Sequence, residues 1–289
     1  MSRSRTRISI VQGYRATNGR PKRAGLPNLG AAGTEPAPES ARTPGPFSPS
    51  WHHPTLSGLT MSEIASRLHA LNQQIAELEA RHDRPRGSVK LLAVSKTKPA
   101  SMVAEAHAAG QTAFGENHLQ DALGKLDDPR LTAAGLEWHF IGPLQSNKTR
   151  LVAERFQWLH SLDRLKVARR LDEQRPEHLA PLDVCIQVNL SGEASKSGLA
   201  PEEVPDFAGA LQAFPRLRLR GLMSIPAPET DLDAQRTPFR RLREMLEELR
   251  RAGSDVDTLS MGMTADMEAA IAEGATWVRI GTALFGHRD

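Results

Sequence analysis

The 289-residue chain is 39% hydrophobic and 25% charged, in the range of ordinary globular proteins and long enough for one large domain or two small ones. It contains no apolar run of about eighteen residues and no apolar stretch near its N-terminus, so neither a membrane span nor Sec-type export is indicated and a cytoplasmic protein is the default. Cys185 is the only cysteine, which excludes an intramolecular disulfide and a multi-cysteine metal centre and leaves a small buried strand residue as its expected role.

The formal charge of +3 averages two unlike segments. Residues 1–60 carry eight Lys and Arg against two Glu, a net +6, which leaves −3 for the remainder. The basic character therefore belongs to the first segment, and the rest shows no basic stripe interleaved with aromatics, so nucleic-acid binding is not expected of it. Residues 1–60 are rich in Arg, Pro, Gly, Ser and Thr without apolar periodicity, a composition that predicts a disordered extension. A transit peptide or a nucleic-acid tail would share that composition; the favoured expectation is a dispensable extension with Met61 as the functional start. From there, Ser62 is a plausible N-cap, and Ile64, Leu68, Leu71, Ile75 and Leu78 follow at helical spacing.

Beyond that helix, short apolar runs alternate with amphipathic segments. Strands are predicted at "KLLAVS", "TAFG", "EWHFI", "QWLHS", "LDVCIQVNL", "LRGLMSI", "TLSM" and "TWVRIG", and the longest helix between them at "FRRLREMLEELRRAG", ending at Gly253. Eight strand–helix units imply parallel strands and fit a single (β/α)₈ barrel over residues 61–289, of the α/β class.

In such a barrel the site forms at the C-terminal ends of the strands. The residues closing the runs are Lys96, then Glu116 and Asn117, Gly142, Asp163, Asn189, Met223 and Ser224, Ser260 to Gly262, and Arg279 to Thr282. Lys96 shares a face with Leu92 and Val94 by the period of two, so it is expected to point into the barrel mouth, while Lys98 lies beyond the strand next to Pro99. A lysine in such a mouth is a candidate carbonyl nucleophile. Gly281 and Thr282 end the eighth strand, and Ser260 ends the seventh, where this fold habitually holds phosphate.

The motifs "LLAVSKTKP", "FGEN", "WHFIGPLQSNK", "QVNLSGEASKSG", "RGLMSIP", "LSMGMTADMEAAI" and "VRIGTALFG" occur in order across residues 61–289, and together they closely resemble the pyridoxal phosphate homeostasis protein family. The resemblance implies a barrel like the N-terminal domain of alanine racemase, with Lys96 carrying pyridoxal 5′-phosphate (PLP) as a Schiff base. It further implies that Asn117 and Met223 line the cofactor ring, that Ser260, Met261, Gly281 and Thr282 hold the phosphate, and that Arg279 donates to the pyridine nitrogen. The second motif departs from the family pattern, reading "GENHLQD" where an aromatic residue and a glutamate are expected; His118 there is expected to be a loop or helix-start residue, not a catalytic base.

The function so implied is intracellular PLP homeostasis, with indirect effects on amino-acid and keto-acid pools, by a monomer whose partners are PLP and, further, amino acids and PLP-dependent apoenzymes. No catalytic residue and no metal is expected. The competing readings are a PLP-dependent amino-acid racemase and a barrel for another phosphorylated metabolite. Against the racemase, two-base chemistry needs a group on each face of the substrate, and the only tyrosine is Tyr14.

Overall fold

The eight apolar runs form eight parallel strands: β1 Lys90–Val94, β2 Ala113–Glu116, β3 Glu137–Phe140, β4 Trp158–Leu162, β5 Leu182–Gln187, β6 Leu217–Met223, β7 Thr258–Ser260 and β8 Trp277–Ile280. Each pairs with the next and β8 pairs with β1, closing the barrel. The structure is a computed structural model that describes residues 61–192 and 197–286. The predicted disordered extension, residues 1–60, and part of the "QVNLSGEASKSG" motif lie outside the described residues.

Why these runs become strands buried on both faces follows from the alternation of side chains. On β1, Leu91 and Ala93 face outward into the core shared with the helices, whereas Leu92 packs inside the barrel against Ala113, Trp277 and Ile141. Trp158, Cys185 and Met223 form a second interior cluster. Cys185 is the small buried strand residue expected, and burial pushes its thiol pKa up. The β1–β8 register pairs Leu92 with Arg279 and Ala93 with Ile280, which puts the lysine-bearing strand beside the arginine-bearing one.

Helix Glu63–Arg81 starts as the sequence predicts, with the Ser62 side chain accepting from Ala65 N at 3.2 Å. Its buried residues include Ile64, Leu68, Leu71, Ile75 and Leu78, each contributing about 1.5–3 kcal/mol of transfer free energy. The buried Glu79 carboxylate ties its last turns to the segment leading into β1, accepting from Gly87 N at 2.8 Å and Val89 N at 2.7 Å. The long helix spans Leu232–Arg251 and so begins before the predicted Phe239. Pro238 lacks the N–H an interior position uses, which disguises the first turns; the Asp231 cap, accepting from Ala234 N at 2.9 Å, starts them. Among the described residues no helix is long and apolar enough to cross a membrane, and no group of three His, Cys, Asp or Glu is placed to hold a metal ion.

Candidate functional site

The C-terminal ends of the strands surround a cavity of about 920 Å³. Val94, Lys96 and Lys98 border it at the end of β1, Asn117 after β2, and Arg279, Gly281 and Thr282 at β8. Lys96 is exposed and Lys98 half-buried. Both border the cavity, Lys98 from beyond the end of β1, where the sequence puts it. Thr97 adopts a left-handed φ of 63°, and Lys98 N donates to Ser95 O at 3.0 Å, folding the chain back toward the barrel mouth. A non-glycine residue in that region costs on the order of 1 kcal/mol.

Arg279 is 5% exposed and is held from two strands. Its Nη1 donates to Ser260 Oγ and its Nη2 to the Ser224 carbonyl, both at 2.9 Å. Burial pulls its pKa down to about 10, against Asp266 and Cys185, which raise it. The side chain is thus cationic at neutral pH and only a hydrogen-bond donor, with N–H groups to spare beyond the two used.

Two glycines set the shape of the mouth. A Cβ on Gly142 would stand 2.0 Å from the Asn117 carbonyl oxygen, so only glycine lets the Asn117 backbone pass there. A Cβ on Gly281 would stand 3.1 Å from the Val94 carbonyl oxygen, a milder conflict at the β1–β8 seam.

Of the residues singled out in the sequence, Lys96, Asn117, Arg279, Gly281 and Thr282 come together at this cavity, whereas Met223, Ser260 and Met261 do not border it. Met223 is in the barrel interior against Trp158 and Cys185. Ser260 also faces inward, fully buried below Arg279, and alternation turns Met261 outward into the helix–barrel core. Thr264, in the turn after β7, lines the cavity instead. Its hydroxyl within "SMGMTADM" was the signal available for it. His118 is exposed at the N-cap position of helix Leu119–Leu126, the helix-start role expected.

Two buried polar pairings were not foreseen in the sequence, and one of them takes Glu116, a strand-end residue that does not border the cavity. Inside the barrel, His139 Nδ1 lies 2.9 Å from His160 Nε2, and His160 Nδ1 lies 2.7 Å from Ser260 Oγ. Burial lowers both histidine pKa values, His160 well below the ordinary value with His139 and Arg279 adding to the effect, while Glu137 opposes the shift at His139. Both imidazoles are therefore neutral at physiological pH. Outside the barrel wall, behind Lys96, Lys125 Nζ donates to Glu116 Oε1 and to the Ser95 carbonyl, each at 2.6 Å, with both ionic side chains buried. Burial raises the Glu116 pKa and Lys125 opposes that rise.

A lysine just beyond one strand and a buried arginine on the adjacent strand of a closed barrel thus border one cavity. The family model for the N-terminal domain of alanine racemase matches residues 66–289. The pyridoxal phosphate homeostasis protein of Pseudomonas aeruginosa is 60% identical over 229 residues, covering 79% of this chain and 97% of that relative. The chain belongs to the pyridoxal phosphate homeostasis protein family. A second member, from Escherichia coli, is 52% identical over 230 residues and is covered to 98% of its length. The solved structure of PipY from Synechococcus elongatus with PLP bound is 38% identical, with a TM-score of 0.68 over 78% of this chain and 100% of PipY. The family resemblance read from the motifs is thus borne out, and so is the barrel it implied.

Proposed function

We propose that this protein binds PLP in the cavity at the C-terminal ends of the strands and serves in PLP homeostasis, as its relatives' names state for them. The observation that carries the reading is the placement of Lys96 and Arg279 on one cavity wall formed by paired strands. The residues present fit the cofactor. Lys96 supplies the amine for a Schiff base with the cofactor's aldehyde carbon. Gly281, Thr282 and Thr264 would offer a small-residue corner for the phosphate, and Asn117 would line the ring. Met223, Ser260 and Met261 act from behind the wall, by packing and by fixing Arg279 and the turn after β7. When bound, PLP supplies an electron-withdrawing ring, and Arg279 restrains that property by donating to the pyridine nitrogen while being unable to give up a proton at ordinary pH.

Holding the cofactor, rather than rapid amino-acid turnover, is the role proposed. The titratable side chains bordering the cavity among the described residues are Lys96, Lys98 and Arg279. The two lysines share one strand end, and a guanidinium does not accept protons, whereas racemisation needs an acid–base group on each face of the substrate. The protein so described is a cytoplasmic monomer whose residues 61–289 form the binding domain, with amino acids and PLP-dependent apoenzymes as further partners. A chain lacking residues 1–60 is expected to take up the cofactor as the full chain does.

The test is an absorption titration of the purified protein with PLP beside a Lys96→Ala control. The wild type is expected to develop the visible band of a protonated imine and the control to lack it. A wild-type protein whose spectrum is only that of free PLP would refute the reading.

A further inference from the structure

A polar chain crosses the barrel interior from Arg279 toward the N-terminal ends of the strands. Arg279 Nη1 donates to Ser260 Oγ at 2.9 Å, Ser260 Oγ lies 2.7 Å from His160 Nδ1, and His160 Nε2 lies 2.9 Å from His139 Nδ1. His139 Nε2 then stands 3.3 Å from Glu137 Oε1, a long contact that ends in a polar pocket with Lys90, Asp183 and Arg220. Ser260, His160 and His139 are each 0% exposed, so every proton in the chain must be accounted for within it.

The donors fix the direction. A guanidinium nitrogen has protons to give and no lone pair to offer, so Ser260 Oγ accepts from Arg279. The one proton of the Ser260 hydroxyl then has His160 Nδ1, 2.7 Å away, as its acceptor when that nitrogen is bare. A neutral imidazole keeps its proton on the other nitrogen, so His160 carries it on Nε2 and donates to His139 Nδ1. His139 in turn carries its proton on Nε2, facing the Glu137 carboxylate. One tautomer of each histidine satisfies the three hydrogen bonds from Arg279 to His139, while His139 Nε2 is buried without a hydrogen bond and has only the long 3.3 Å approach to Glu137. Reversing His160 would leave both it and Arg279 donating to Ser260 and the serine proton without this acceptor.

We infer that His160, acting through Ser260, is a positioning residue for Arg279. By accepting the serine proton it holds the Ser260 lone pairs toward the guanidinium, and this contact and the bond to the Ser224 carbonyl fix the guanidinium plane at the cavity wall. Ser260 thereby has a task of its own inside the barrel, separate from any contact with phosphate. The inference rests on the reading that the cavity takes PLP with Arg279 at the pyridine nitrogen. Removing His160 frees the serine hydroxyl to turn its proton elsewhere and loosens the guanidinium without touching the cavity.

The experiment compares wild type, His160→Leu, Ser260→Ala and His160→Asn, whose amide oxygen can accept the serine proton in place of Nδ1. PLP affinity and the nitrogen NMR shift of ¹⁵N-labelled cofactor are measured in each. The Leu and Ala variants are expected to bind PLP about tenfold more weakly, in keeping with one weakened charge-assisted hydrogen bond, and to move the pyridine resonance toward that of a nitrogen without a donor. The Asn variant is expected to restore both. Leu and Ala variants that fold yet keep the wild-type affinity and resonance would overturn the inference. Should they fail to fold, histidine ¹⁵N spectra of the wild-type protein decide, with and without PLP: neutral Nε2–H forms of His160 and His139 support it, and an Nδ1–H or doubly protonated His160 overturns it. Wild-type protein that takes up no PLP would instead strike the proposed function, leaving the tautomer result to stand on its own.

Discussion

Arg279 on β8 and Ser260 on β7 are joined by a 2.9 Å hydrogen bond, while the same guanidinium reaches the Ser224 carbonyl beyond β6. One side chain thus spans three successive strand ends and still borders the cavity. Lysine cannot replace it, because an ammonium is a compact point charge without the planar fork that serves two strands and a ligand at once. Arg279→Lys is expected to weaken PLP binding by roughly 10- to 100-fold, the range for losing a hydrogen bond to a charged group, measured by titration of the folded variant. Unchanged affinity would separate Arg279 from the cofactor.

Gly142 carries a second expectation. An alanine Cβ there would lie 2.0 Å from the Asn117 carbonyl oxygen and 2.8 Å from its Cα, so the Asn117 backbone must retreat. Gly142→Ala is expected to cost about 1–3 kcal/mol in chemical denaturation, as overpacking does, and to reduce PLP uptake along with it. Gly281→Ala, facing the Val94 carbonyl oxygen at 3.1 Å, is expected to do less to stability. Equal effects of the two would argue against the close passage at Asn117.

The buried Glu116–Lys125 pair gives a pH-dependent expectation. Burial holds the Glu116 pKa above its ordinary value with Lys125 opposing, so the stability linked to its proton is present below the unfolded carboxylate value and is lost as pH rises through the folded one. Lys125→Met removes the opposing cation. It is expected to destabilise by about 3–5 kcal/mol near neutral pH, the cost of an unpaired buried charge, and by much less near pH 4, about the unfolded glutamate pKa, where folded Glu116 with its raised pKa is already protonated. Denaturation midpoints of variant and wild type across that range test it; a deficit independent of pH would show that lost packing, and not charge, is what the variant suffers.

Much of this arrangement was legible in the sequence where a local period governs it. The helix face from Ile64 to Leu78 and the eight strands follow from apolar spacing, and alternation places Lys96 and Arg279 at the mouth. The same parity separates Ser260 from Met261, two residues that the family resemblance had grouped together at the phosphate. The return of Lys98 depended on one left-handed residue, Thr97, that carries no glycine to announce it. The pairing of His160 with Ser260 joins residues 100 positions apart, and that of His139 with His160 joins residues 21 apart. Each residue's inward face could be read from its strand, but which of them meet depends on barrel closure and the stagger of β3, β4 and β7, which a single strand's pattern does not encode.

The central claim is that Lys96 carries the cofactor, and the fold places a second amine, Lys98, at the same cavity. The direct measurement is to load the protein with PLP, reduce the linkage with borohydride and map the modified peptide. The account predicts a pyridoxyl group on Lys96, absent from a Lys96→Ala protein and retained in a Lys98→Ala protein. A label on Lys98, or on no lysine of the cavity, would contradict it.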